Sequence, residues 1–249
     1  MMILSVKKAM DIMDCVARKG KISITELSRE LNIPKSTVCQ LAQTLEATGY
    51  LEQESSSDKY QLSFKFFRIG YDLLEKSGIR SCVRPVIKEL ADVVGDTVNF
   101  TVLDGAKVLF LEKIEGSPLH GGIKEGARGP LHCTASGKVM LANLPPERLE
   151  NILAEAMPFE VYTPRTIVTL EALTQELAKI RLNGYAITTD ELGNGVNSIA
   201  AYVQGYPGRE AAAVSIAAPL HKFSNERIIE LSKLITAAAR EISRRFQTL

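Results

Sequence analysis

A proline between two helical patterns constrains the N-terminal part of this chain more than any other feature. Ser23 and Glu26 have the spacing of a capping box, in which each side chain satisfies an unpaired amide of the first helical turn. The helix that starts there must end before Pro34, because proline disfavours helical geometry in the residue before it. A further helix is predicted from about Lys35 to Ala47. One of its faces carries three residues expected in the core: Val38, Leu41 and Leu45.

The flanking sequence completes a small domain. Residues 4–18 form an earlier helical pattern, whose apolar stripe is Val6, Met10, Met13 and Ala17. Residues 50–53 and 59–62 have the composition of strands and flank a polar turn. Three helices followed by a two-stranded ribbon predict a winged helix-turn-helix domain over residues 1–62.

Residues 63–78 predict a linker helix that ends at Gly78. This segment carries more large apolar side chains than a solvated linker would. We therefore expect it to pack on a neighbour, namely a second subunit. The apolar residues are Phe64, Phe66, Phe67, Ile69, Tyr71, Leu73 and Leu74.

Residues 79–249 predict a larger domain, which makes the whole chain an α+β protein. Two strand-like runs, 97–103 and 107–114, are joined by Asp104-Gly105, a pair that favours a tight hairpin. Strands interspersed with helices are typical of an α/β domain, here with a mostly antiparallel sheet. The other predicted elements are a loop with Gly121, Gly122, Gly126 and Gly129, strands at 185–189, 198–206 and 211–217, and helices near 83–94, 135–142, 147–156, 170–183 and 224–247.

The predicted third helix has a polar face opposite its core residues. Glutamine can pair with adenine through two hydrogen bonds, serine and threonine can reach phosphates or base edges, and lysine neutralises a phosphate. We expect this face and one lysine of the ribbon to contact double-stranded DNA. The alternative is a three-helix protein-interaction module with a solvated polar face. The candidate DNA contacts are Lys35, Ser36, Thr37, Gln40, Gln43, Thr44 and Lys59.

Bulk composition gives little help in choosing between these two interpretations. The formal net charge is +1, and the first 78 residues contain 11 Lys/Arg against 10 Asp/Glu. DNA binding must therefore depend on where polar groups lie in the motif. Four scattered cysteines form neither a disulfide framework nor a zinc signature. The chain has no apolar run of membrane-spanning length and no secretory pattern, so we expect a cytoplasmic protein.

Catalytic and nucleotide-binding motifs fit poorly. In a Walker A alignment, His132 and Val139 take places that require glycine and Ser or Thr. Ser198 replaces the third glycine of a dinucleotide motif. His132 beside Cys133 suggests thiol catalysis, but sequence neighbours point in different directions, so a hydrogen-bonded histidine and a buried thiol are expected instead. We therefore expect no catalytic residue, no metal and no cofactor.

Six segments, in order along the chain, carry a family resemblance. They are IPKSTVCQLAQTLEATGYLE, GARGPLHCTASGKVMLANLP, VYTPRTIVTLEAL, RLNGYAITTDEL, NSIAAYV and AAAVSIAAP. The first resembles the helix-turn-helix of the IclR-type transcriptional regulators, and the others resemble that family's effector domain. The resemblance implies a winged helix-turn-helix, a linker helix and a GAF-like effector domain at 79–249. It also implies a repressor that responds to a small organic acid and binds palindromic operators as a homodimer or homotetramer.

The start of the predicted helix near residue 135 is the expected effector site. Backbone amides at a helix N-terminus attract a carboxylate or a similar anion. In the family that the chain resembles, effector contacts come from this loop and from the strands that follow. Carried over by position, the candidate effector contacts are Thr134, Ala135, Ser136, Thr188, Asp190, Ser198, Ser215 and Ala217.

Three of these positions depart from the pattern of family members that bind small keto acids. Those members have an Asp, a Cys and a second Ser where this chain has Thr188, Ser198 and Ala217. The pocket would lose hydrogen-bonding groups, so we expect a larger or less polar carboxylate than glyoxylate or pyruvate. A different class of function stays open, in which a metabolite-binding or enzymatic domain uses the N-terminal helices only for oligomerisation.

Overall fold

A computed structural model describes residues 2–116, 122–193 and 195–248 of the chain. The chain divides into two compact units, Met1–Lys76 and Ser77–Leu249. Within the described ranges, no helix is both long enough and apolar enough to cross a membrane. Gly121, which belongs to the predicted glycine-containing loop, lies outside the described residues.

The first unit contains the predicted helices and ribbon, with one strand more than expected. Ser23 Oγ accepts a hydrogen bond from the Glu26 amide at 3.3 Å, and Glu26 Oε2 accepts one from the Ser23 amide at 2.9 Å, so the capping box is present. Its small sheet has the order β1-β3-β2 and is therefore three-stranded. The elements are α1 (Leu4–Lys19), β1 (Ile22–Ser23), α2 (Ile24–Leu31), α3 (Lys35–Ala47), β2 (Leu51–Gln53), β3 (Lys59–Leu62) and α4 (Lys65–Lys76).

The core of this unit corrects two details of the predicted helices. On α1 the buried residues are Ile12, Cys15 and Val16, which lie three and four residues apart on one helical face. The predicted stripe was therefore the wrong face, since Val6, Met10 and Ala17 are exposed and Met13 is half-buried. On α3, Val38, Ala42 and Leu45 are buried, whereas the predicted core residue Leu41 is only half-buried because the core face turns toward Ala42.

The second unit is built on one antiparallel sheet with the strand order β6-β5-β4-β9-β8-β7. The predicted hairpin joins β4 to β5, and Gly105 in its turn has a φ of 58°, which favours glycine. The elements are α5 (Arg84–Val94), β4 (Thr97–Asp104), β5 (Lys107–Ile114), β6 (Arg128–Pro130), α6 (Ala135–Asn143), α7 (Pro146–Ala156), α8 (Leu170–Asn183), β7 (Tyr185–Thr189), β8 (Val196–Val203), β9 (Ala212–Pro219) and α9 (Asn225–Phe246).

The largest differences from the predicted sheet are at β8 and β6. The eighth strand covers 196–203 rather than 198–206, because its pairing with β9 ends where Val203 lies opposite Ala212. The sequence predicts a glycine-containing loop where the structure has the short strand β6, whose Gly129 pairs with Val108 at the edge of the sheet. An edge strand of three residues has too few side chains to produce an alternating pattern.

Helices cover the two faces of the sheet. The helices α5 and α9 pack against strands β4, β8 and β9, while α6 packs against β7, β8 and β9 and against α8. Alternate residues of a strand point to opposite faces. Ala186, Ala200 and Ala213 belong to the core cluster that includes α6 and α8. Residues two or four positions along the same strands therefore also face α6, and this face carries the candidate site.

Candidate functional site

The helix α3 presents the polar face that the sequence predicted. Lys35, Ser36, Gln40, Gln43 and Thr44 are exposed, as is Lys59 at the start of β3. Thr37 is half-buried. The hydroxyl of Thr44 donates to the carbonyl oxygen of Gln40 at 2.8 Å, which fixes that side chain against its own helix. The two glutamines and the lysine are the groups of this face best able to reach a base edge or a phosphate.

The start of α6 has the geometry of an anion-binding helix terminus. Thr134 caps the helix, because its Oγ1 accepts from the Gly137 amide at 3.1 Å and donates to the Pro130 carbonyl at 2.7 Å. Within the described parts of the chain, the amides of Ala135 and Ser136 have no hydrogen-bond partner. Unpaired amides and the helix dipole together favour a negative group at this position.

A glycine allows this helix start to approach the preceding backbone closely. A Cβ on Gly137 would lie 2.2 Å from the carbonyl oxygen of Leu131 and 2.5 Å from its Cα. Backbone atoms cannot swing aside as a flexible side chain can, so any larger residue would push α6 away from residue 131. The position of the free amides therefore depends on this glycine.

A cavity of about 50 Å³ lies between the start of α6 and the sheet. The predicted site residues around it come from one helix and three strands. Thr188, Ser198 and Ala217 lie opposite one another on β7, β8 and β9, and Ser215 is two residues from Ala217 on the same face. Seven of the eight predicted contacts line the cavity: Thr134, Ala135, Ser136, Thr188, Ser198, Ser215 and Ala217.

The eighth predicted contact, Asp190, does not line the cavity. This residue has a φ of 50° and lies in the turn after β7. Its Oδ1 accepts from the Gly195 amide at 2.9 Å, and its carbonyl oxygen accepts from the Thr163 hydroxyl at 3.0 Å. A short carboxylate is suited to such a turn, because it can pair with a backbone amide nearby.

Four polar or charged residues of the lining were missed at the sequence level. Thr97 and Asn99 come from β4, Lys113 comes from β5, and Glu191 follows β7. One signal was available for the first two, because polar residues alternate with apolar ones at the start of the segment TVNFTVLD. That alternation predicts a polar face on a strand that is otherwise buried.

Glu191 forms a buried ion pair with Lys138 of α6. The two charged groups are 2.6 Å apart, and their side chains are 9% and 1% exposed. Burial raises the pKa of Glu191, and the neighbouring Lys138 ammonium opposes that shift. A buried pair is stable only when both partners are present, so this contact joins the helix to the turn that closes the cavity.

His132 and Cys133 have the structural roles expected of them. His132 Nε2 lies 2.9 Å from the carbonyl oxygen of Glu160, to which it donates, and its ring stacks on Phe159 with a centroid distance of 4.8 Å. Burial lowers the pKa of His132 and raises the pKa of Cys133 to about 12. At neutral pH the thiol is therefore protonated and a weak nucleophile. In the described ranges, no group of His, Cys, Asp and Glu has the geometry of a metal site.

Comparison with known proteins gives the same family across both units. A family model described as bacterial transcriptional regulator IclR C-terminal matches residues 71–244, and one described as IclR helix-turn-helix domain matches residues 5–55. The chain is 34% identical to the HTH-type transcriptional regulator KdgR of Escherichia coli strain K12, over 97% of this chain and 92% of that protein.

Two further relatives extend the comparison. The transcriptional repressor IclR of Escherichia coli strain K12 is 25% identical over 97% of this chain and 89% of its own length. The crystal structure of an IclR homolog complexed with 4-hydroxybenzoate, from Microbacterium hydrocarbonoxydans, has the same fold, with a TM-score of 0.83, 22% identity and coverage of 98% of this chain and all of the other. The chain belongs to the IclR family and is a ligand-responsive, DNA-binding regulator of transcription.

Proposed function

We propose that this regulator binds a palindromic operator through α3 and acts as a repressor. A small organic acid either weakens or strengthens its binding to that operator. The observation that carries the DNA half is the exposed face of α3, with Lys35, Gln40 and Gln43 on a helix preceded by a capped helix and followed by a wing. A solvated helix in an interaction module has no need for that combination. The repressor assignment is supported by the relative from Escherichia coli strain K12 that is named transcriptional repressor IclR.

The proposed effector site is the cavity at the start of α6. Two unpaired amides, those of Ala135 and Ser136, favour a carboxylate there. Thr188 and Ser198, which are hydrogen-bonded to each other at 2.9 Å, supply hydroxyl groups on the sheet. The structural neighbour that was crystallised with 4-hydroxybenzoate, itself a carboxylate, supports an organic acid as the ligand class. Ala217 cannot hydrogen-bond through its side chain, which favours a larger or less polar acid than a two-carbon keto acid.

We also propose that α4 mediates assembly into a homodimer or homotetramer. The helix has no buried residue, and two large apolar side chains are exposed: Phe64, just before it, by 84% and Phe67, within it, by 71%. Exposed apolar groups of this size commonly mark an interface. An acid that favours one arrangement of the two DNA-binding units of a dimer would change the affinity for an operator with fixed half-site spacing.

The experiment that tests this function uses the full chain and the DNA upstream of its own gene. A gel-shift titration at several salt concentrations should give sequence-selective complexes whose affinity falls as salt rises. A thermal-shift screen of carboxylic acids should identify a ligand that raises the melting temperature. The absence of selective DNA binding, together with turnover of an acid, would instead favour the metabolite-binding or enzymatic alternative.

A further inference from the structure

One side of the cavity carries polar side chains that take no part in the proposed carboxylate site at α6. Thr97 and Asn99 on β4 and Lys113 on β5 line this side. The sheet places Asn99 between Lys113 on one neighbouring strand and Ser215 on the other, and it places Thr97 opposite Ala217. The polar surface therefore continues from β9 across β4 to β5.

The hydroxyl of Thr97 is the clearest sign that this side binds something. The residue is only 2% exposed, and its Oγ1 has no hydrogen-bond partner among the residues that the structure describes. Leaving a polar group buried and unpaired destabilises the folded protein. Valine has nearly the same shape as threonine and would avoid that cost. A ligand group that pairs with the hydroxyl would satisfy it.

The charges around the cavity favour an anionic group on this side. One oxygen of the Glu191 carboxylate is paired with the buried ammonium of Lys138, which balances its charge, and its Oε2 has no hydrogen-bond partner among the described residues. Lys113 is paired at 2.9 Å with Glu115, whose side chain is 77% exposed, and a pair with such an exposed partner contributes little. One positive charge is therefore available at β5, next to the amide of Asn99 and the hydroxyl of Thr97, and all three groups can donate hydrogen bonds.

The polar lining of the sheet extends across four strands, β5, β4, β9 and β8. Lys113 on β5 and Ser198 on β8 lie on strands separated by β4 and β9, so their backbones are roughly 14 Å apart at about 4.8 Å per strand. The long lysine side chain shortens the distance that a ligand must span. A ligand with polar groups at both ends fits this separation better than one with a single polar head.

We propose that the effector is a dicarboxylic acid. One carboxylate binds the free amides of Ala135 and Ser136, and the second is held by Thr97, Asn99 and Lys113. This inference rests on the proposed effector function of the cavity and adds the chemical class of its ligand. Hydrogen bonds to a charged group are stronger than those between neutral groups, so the second carboxylate should improve binding at least about tenfold.

Calorimetric titration of the full chain tests this with acid pairs of equal carbon number: succinate and butyrate, glutarate and valerate, adipate and hexanoate. At least one dicarboxylate should bind about tenfold more tightly than its partner. Thr97→Val, Asn99→Leu and Lys113→Met should each reduce that ratio below about threefold while monocarboxylate affinity is retained. Thr189→Val is the matched control, because Thr189 is exposed at the end of β7 and lies outside the cavity.

The outcomes separate this inference from the proposed function. Equal affinity within every pair would overturn the dicarboxylate assignment and leave the carboxylate site standing, whereas failure of every acid to bind would overturn both. If the ω-hydroxy acid of the same carbon number bound as tightly as the preferred dicarboxylate, a second carboxylate would be ruled out as the required group. Thr97→Val should also raise the melting temperature of the ligand-free protein. A lower melting temperature with full dicarboxylate preference would assign the hydroxyl a purely structural role.

Discussion

Lys138 and Glu191 form a buried ion pair beside the cavity. No sequence motif predicts that these two residues are partners. Lys138 belongs to the segment that resembles the family, but its partner lies 53 positions later, in a turn whose path depends on the folded sheet. A sequence pattern shows the two charges and gives no sign that they meet. Both become buried only when α6 packs on β7.

Replacing Lys138 by Met should destabilise the protein by about 3–5 kcal/mol, because the Glu191 carboxylate would be left buried without its partner. The double variant Lys138→Met/Glu191→Leu should recover most of that loss, since it removes both charges. Urea denaturation followed by circular dichroism measures the difference. Equal midpoints for wild type and Lys138→Met would show that the pair makes no such contribution.

His132 should make stability depend on pH in the mildly acidic range. Burial holds its pKa below the ordinary 6.5, so the folded protein keeps the ring neutral while the unfolded chain binds a proton. The free energy of unfolding should therefore fall as the pH is lowered from above 6.5 toward the folded pKa. In His132→Gln this part of the decline should be missing.

The matched control for that experiment is His221→Gln, because His221 is exposed in the short 3-10 helix that precedes α9. Its pH profile of unfolding should parallel that of the wild-type protein. If both histidine variants kept the wild-type slope, the decline would have to come from carboxylates, and the assignment to His132 would be wrong.

At the scale of elements, local patterns predicted helices and hairpins well and contacts between distant strands poorly. The capping box, the break at Pro34 and the Asp104-Gly105 hairpin are local, and the structure contains each of them. Thr97 was missed because it joins the cavity only through pairing with Ala217, 120 positions later. On α1 two apolar faces compete, and periodicity alone could not tell which of them faces the core.

The α6 terminus should not tolerate a side chain at its third residue. Gly137→Ala would place a Cβ against the backbone of residue 131, so we expect a loss of about 1–3 kcal/mol in stability and weaker acid binding. Asn143→Ala, an exposed position near the other end of the same helix, is the control and should retain binding. Unchanged acid affinity in Gly137→Ala would argue against the helix terminus as the carboxylate site.

The face of α3 predicts two different effects on DNA binding. Gln40→Ala and Gln43→Ala should each relax specificity at one or two operator positions, at a cost of about 1–3 kcal/mol. Lys35→Ala should weaken binding to all sequences and reduce the salt slope by about one. Fluorescence anisotropy with single-base operator variants measures both. Identical specificity profiles for all three variants would contradict the assignment of α3 as the recognition helix.

At the scale of the whole molecule, the fold class and the family could be predicted from sequence, because ordered motifs run from the helix-turn-helix to β9. The ligand could not be predicted in the same way. Its chemistry depends on which side chains of five strands meet around one cavity, and on a hydroxyl that has no partner among the described residues. The boundaries 1–62, 63–78 and 79–249 stay a prediction.

The central claim is that an acid in the cavity changes the affinity of the same molecule for its operator. The most direct test is an anisotropy titration of the full chain on its upstream DNA, with and without a saturating acid found by thermal shift. We predict sequence-selective binding that the acid changes by about 5–150-fold, and an equal reciprocal effect of operator DNA on acid affinity. Selective DNA binding that the bound acid leaves unchanged would contradict the account.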